Sequence, residues 1–148
     1  MKRKNISSQS PFEPVFGYSR AVRVGNQIHV AGTTAQPPED QGDAYEQAAA
    51  ALQIIRKGLV EAGADFKDVV RTVVYVTDMK HMEGVTRAHS EVFREILPAS
   101  TLVAISALAK PHLVVEIEAY AILEDDTSYS SSVSSSLAMT RRQLTHNR

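Results

Sequence analysis

Val69-Val70-Arg71-Thr72-Val73-Val74-Tyr75-Val76-Thr77 reads as the central strand of a sheet, because its run of β-branched residues disfavours helix and suits a pleated surface. Strict alternation sends Val70, Val74 and Val76 to one side and Val69, Val73 and Tyr75 to the other. Both sides of this strand therefore ask for burial. Upstream, Asp43 followed by Glu46 has the form of a helix start. Ala44, Ala48, Ala51, Leu52, Ile55 and Leu59 then recur at helical spacing until Gly63. Downstream, Met82, Val85, His89, Val92, Phe93 and Ile96 line one side of a second helix that ends before Pro98.

Further out, Arg20–Val24 and Gln27–Gly32 are β-prone runs joined by Gly25-Asn26, a two-residue hairpin turn. Thr101–Ser106 and Leu113–Leu123 are the last two strands, and a short edge piece is expected near Asn5–Ser8. The order is β-β-α-β-α-β-β, an α+β fold with two helices on one face of a mixed sheet. The other face has no partner within the chain. A large apolar sheet face left in water marks an interface, so a closed homo-oligomer is expected. The domain is expected over residues 1–124. Beyond it, seven serines fall in the nine positions from Ser128 to Ser136, and 125–148 reads as a Ser-rich disordered tail.

Composition excludes several classes of function. The 148 residues carry 16 Lys+Arg against 17 Asp+Glu, a net charge of −1, which lacks the basic footprint of a nucleic-acid partner. No apolar run approaches the roughly 18 residues of a membrane span, so no membrane partner is expected. The basic start, Met1 to Lys4, is not followed by an apolar segment of the secretory kind. With no cysteine, disulfides and thiolate metal sites are out, and a cytoplasmic location fits. His81 and His89 stand two helical turns apart and cannot share an ion, so no metal is expected. There is no phosphate-binding glycine loop or serine-nucleophile motif, and no cofactor is expected.

The chemistry-bearing residues cluster in three segments. In Val115-Glu116-Ile117-Glu118-Ala119-Tyr120-Ala121 the apolar residues share one face, and Glu116, Glu118 and Tyr120 the other. Two carboxylates on one face, about 6.5–7 Å apart at Cα, raise at least one pKa in a partly dry site, which suits general acid–base work. A solvated polar strand face gives the same spacing. Tyr18, in the turn-like stretch Pro14–Ser19, offers a phenol to a ligand or plugs the core edge. Pro98-Ala99-Ser100-Thr101 presents two hydroxyls and backbone N–H groups.

Taken in order, Gly17-Tyr18-Ser19, Ile28-His29-Val30-Ala31-Gly32, Asp68 to Asp78, Pro98-Ala99 and Val115-Glu116-Ile117-Glu118-Ala119 resemble the Rid/YjgF family of reactive-intermediate (enamine/imine) deaminases. The resemblance covers Ile6 to Leu123. It implies a chorismate-mutase-like fold and a homotrimer with small-molecule clefts between subunits. It implies that Glu116 activates a water, that Tyr18 holds water or substrate, and that Gly32 lines the cleft. Where the family's Pro-Ala-Arg supplies a guanidinium for a substrate carboxylate, this chain has Ser100, a neutral hydroxyl in place of a bidentate clamp. A divergent ligand is therefore expected, held by Ser100 and Thr101, with Arg20 or Arg71 as substitute cation. The reading is a hydrolase releasing ammonia from an enamine, imine or related metabolite. The alternative is a non-catalytic trimer that binds a small molecule.

Overall fold

The computed structural model describes residues 1–124, and the Ser-rich segment 125–148 lies outside the described residues. The strands are β1 (Arg3–Ile6), β2 (Ala21–Val24), β3 (Gln27–Thr33), β4 (Val69–Val76), β5 (Ala99–Ala104) and β6 (Val115–Ile122). They form one mixed sheet in the order β1-β2-β3-β6-β4-β5, with only β4 and β5 parallel. The helices are α1 (Phe12–Phe16), α2 (Ala44–Glu61) and α3 (Met82–Phe93). The core lies between the sheet and α2 and α3, where Leu52, Ile55 and Leu59 of α2 and Val85 of α3 are fully buried with Val76, Val115 and Ile117. The α+β architecture is the expected one. Among the described residues no helix is long and apolar enough to cross a membrane.

Local chemistry sets the boundaries. The Asp43 carboxylate accepts from Glu46 N at 2.8 Å and starts α2, while Gly63 closes it at φ +89°. Gly25, at φ +61°, makes the β2–β3 turn. Two elements differ from expectation. The edge strand is Arg3–Ile6, placed by the burial of Ile6, and the turn-like stretch before Tyr18 contains a helical turn, α1. Pro14 sits where a first helical turn has no N–H to lose, so it does not prevent α1.

Simple alternation also fails in β4. Val69 pairs with Ala121 and Arg71 with Tyr120, so Val70 is an extra residue, a β-bulge against β6. Val69 consequently joins Thr72, Val74 and Val76 on the helix side, and Val70 is 44% exposed. A second bulge interrupts β3 between Val30 and Thr33, opposite Ala119 to Ile117. Both bulges distort the strands that flank β6, and the second makes the site.

Candidate active site on the open face of the sheet

β6 alternates as its sequence demands: Val115, Ile117, Ala119 and Ala121 are buried against the helices, and Glu116, Glu118 and Tyr120 face the open side. Register with β4 and β5 builds rows across that side. Glu116 stands beside Tyr75 and then Val103; Glu118 beside Val73 and then Thr101; Tyr120 beside Arg71 and then Ala99.

The β3 bulge brings Gly32 against Glu116. A Cβ on Gly32 would lie 2.9 Å from the Glu116 carboxyl carbon, so glycine is the residue that leaves room for this carboxyl group. Burial pushes the Glu116 pKa up, the neighbouring Glu118 charge adds to that, and the Arg20 charge pulls it back part of the way. A carboxyl raised in this way is a stronger base than an exposed one when ionised.

Arg20 joins the pieces. It is only 6% exposed, and its guanidinium donates to Gly32 O at 2.8 Å, Thr33 Oγ1 at 2.8 Å and Tyr18 Oη at 3.1 Å. Its Nε donates to Ser8 Oγ at 3.3 Å, and Ser8 donates to the buried Glu13 carboxylate at 2.6 Å. Tyr18 Oη accepts from Arg20, so its own O–H is left to donate outward. Tyr18, Gly32 and Glu116 are thus brought together around one buried cation.

Tyr18 also lines an open groove of about 570 Å³ together with His29, Glu118 and Tyr120. Glu118 accepts from Tyr75 Oη at 2.5 Å and Tyr120 Oη at 3.2 Å. Chiefly through that bond to Glu118, the Tyr75 phenol is pushed up to about 12. The His29 ring packs edge-on against Tyr120. The two-phenol clamp on Glu118 escaped sequence reasoning; only the cross-strand register reveals it.

Ser100 and Thr101 part company. Thr101 shares the open face with Glu118's row, whereas Ser100 lies opposite Thr72 on the helix side. There Thr72 Oγ1 stands 2.7 Å from Ser100 Oγ and 2.8 Å from His89 Nε2. Within one chain, Ser100 is not brought together with Glu116. His89 is a neutral-favouring imidazole, its pKa lowered by burial, packed at 4.6 Å on Phe93. Among the described residues, no group of three or more His, Asp or Glu is placed to hold a metal ion.

Residues 8–123 match the family model described as endoribonuclease L-PSP. The chain belongs to that family, also known as YjgF or Rid. Within this family it is 43% identical to a Mycobacterium tuberculosis member of the YjgF/YER057c/UK114 group, whose crystal structure superposes with a TM-score of 0.77 over 82% of this chain and 100% of that one. A RutC family protein of Pyrococcus abyssi is 36% identical over 84% of this chain and its whole length. The mouse 2-iminobutanoate/2-iminopropanoate deaminase is 33% identical over 81% of this YjgF-family chain and 91% of its own.

Proposed function

We propose that this chain hydrolyses an enamine or imine, or a related small metabolite, releasing ammonia in clefts between the subunits of a homotrimer. The Glu116 carboxylate accepts a proton from a water as the water oxygen attacks the imine carbon. Glu116 returns that proton to the nitrogen of the tetrahedral adduct, then takes the adduct's hydroxyl proton as the C=O bond forms and passes it to the departing nitrogen, so the C–N bond breaks and ammonia leaves with a carbonyl product. Tyr18 donates its free O–H to the water or substrate. Gly32 keeps space for the carboxyl, and Arg20 holds Tyr18 and the β3 bulge in register.

Ser100 and Thr101 contact the ligand in this reading, supplied by β5 of an adjoining subunit, since β5 is one of the two edge strands of the sheet. With Ser100 offering a hydroxyl and no cation, the ligand is not held by a bidentate carboxylate clamp at that position. The observation that carries the reading is the half-buried Glu116 carboxyl seated on the Gly32 bulge beside Arg20. Similarity to a relative named as an imine deaminase supports it.

The test is ammonia release from 2-iminopropanoate generated in situ. Release above buffer, falling by about 10²–10⁴ in Glu116→Gln, is expected for a general base. Release equal to buffer rejects imino-acid deamination. The lack of a cation at Ser100 favours, as a second reading, binding without turnover: a ligand held equally by parent and Glu116→Gln, and converted by neither, would establish it.

A further inference from the structure

The hydroxyl of Ser100 does not stand alone. β4 and β5 run parallel, and their register sets Ser100 opposite Thr72 on the helix side of the sheet. Thr72 is fully buried, while Ser100, on an edge strand, is exposed. Thr72 Oγ1 donates to Ser100 Oγ at 2.7 Å and lies 2.8 Å from His89 Nε2, which α3 brings to the inner end. The His89 ring is held by Phe93, 4.6 Å away between centroids, and Phe93 stands edge-on to Phe66 at 5.4 Å. A lone serine rotates its hydroxyl to suit any partner; here the inner neighbours fix which way it points.

A hydroxyl carries one proton, and the direction of the file follows from that count. Thr72 gives its proton to Ser100, so it accepts from His89, and the imidazole carries its hydrogen on Nε2. Ser100 already accepts from Thr72, which leaves its own O–H to donate outward. Each donor in such a file polarises the next and strengthens the exposed O–H. Burial lowers the His89 pKa, so the ring is neutral at pH 7 and the file ends in a donor without charge. Arg20 adds little to such a contact, because four of its five N–H donors go to Ser8, Tyr18, Gly32 and Thr33. A single uncharged donor satisfies an amide or ester oxygen, but it leaves a desolvated carboxylate short of partners.

On the reading that Ser100 contacts the ligand, we infer that His89 and Thr72 are positioning residues that set Ser100 as a donor, and that the ligand offers it an uncharged acyl oxygen. The substrate class is then an enamine or imine whose carboxyl is masked as an amide or ester, held in preference to the free acid.

The probes are pyruvamide and pyruvate, the neutral and ionised products of the corresponding imines. They are titrated in the Glu116→Gln background, so that neither turnover nor the Glu116 charge enters. Pyruvamide is expected to bind more tightly, and Ser100→Ala to weaken it about fivefold while leaving pyruvate nearly unchanged. Thr72→Val keeps the side-chain shape but breaks the file, and is expected to lower the preference for pyruvamide about threefold, with Thr72→Ser restoring it. A merely structural Thr72 would alter stability, or both probes alike. Proton–nitrogen correlation spectra are expected to show the His89 hydrogen on Nε2. A hydrogen on Nδ1, equal binding of the two probes, no binding of either, or a preference untouched by Ser100→Ala and Thr72→Val overturns the inference. Ammonia release separates the two readings: selectivity for pyruvamide without release sinks the hydrolase alone, and release without selectivity sinks the acyl-oxygen contact alone.

Discussion

Glu116, in its proposed role, sets chemistry against the fold. Its pKa lies above the ordinary 4.5 because burial, and then Glu118, disfavour the charge more than Arg20 favours it. A carboxyl raised in the folded state contributes stability that is fully present below its unfolded pKa. That contribution is lost as pH rises through the folded pKa. Ionised Glu116 therefore costs stability at neutral pH. Glu116→Gln is expected to match or exceed the parent in stability at pH 7, with the difference vanishing as pH falls below the ordinary glutamate pKa. Urea melts at pH 7 and below that pKa measure it; a clear destabilisation at pH 7 would show that the carboxylate is a structural asset. Gly32 is the complementary case. A Cβ there meets the Glu116 carboxyl carbon at 2.9 Å, the mobile end of a side chain, so the carboxyl moves and the backbone stays. Gly32→Ala is expected to keep a near-parental melting temperature while ammonia release falls about 100-fold, because a misplacement near 1 Å is enough to lose that much. Equal loss of both would mean that the glycine serves the bulge instead of the carboxyl.

At the scale of elements, what the sequence reveals depends on how local the cause is. The α2 start at Asp43 and the Gly25 turn are written in two or three residues, and they lie where those residues place them. The alternation of β6 is legible for the same reason, since one buried face repeats without interruption. The faces of β4 depart from simple alternation because a bulge is a property of the pair: nothing in Val69-Val70-Arg71 says that β6 will skip a residue there. The face that Ser100 occupies was hidden likewise, since it follows from the parallel register that sets Ser100 opposite Thr72. Arg20 was visible as a cation, yet its burial depends on four hydrogen bonds contributed by Ser8, Tyr18, Gly32 and Thr33. The bulge makes its own prediction. Val69→Ala, which empties a buried site, is expected to cost about 2 kcal/mol, and Val70→Ala no more than about 0.5 kcal/mol of chain stability. Equal costs by denaturant titration would contradict the assigned register.

At the scale of the molecule, the two sides of the sheet are unequal. The helix side is filled by α2 and α3, while the open side leaves Val103 40% exposed in the row of Glu116 and Tyr75, and Ile122 48% exposed at the far end of β6. An apolar edge next to ionisable groups of raised pKa is poorly served by water, and three copies closing around that side would both cover it and wall the groove at Tyr18. Val103 tests this directly because it is exposed in the single chain, so a charge there does not disturb the core. In an assembly closed over the open face, Val103→Lys would force a long charged side chain into an apolar contact, and its desolvation costs several kcal/mol. Sedimentation at micromolar concentration is expected to show the parent near three times 16.2 kDa and Val103→Lys near one, with unchanged far-ultraviolet circular dichroism. Ammonia release should vanish with the trimer, because each cleft in the proposed assembly needs two subunits. A parent that sediments as a single chain, or a monomeric variant that retains full turnover, would place the chemistry within one subunit and remove β5 from the site.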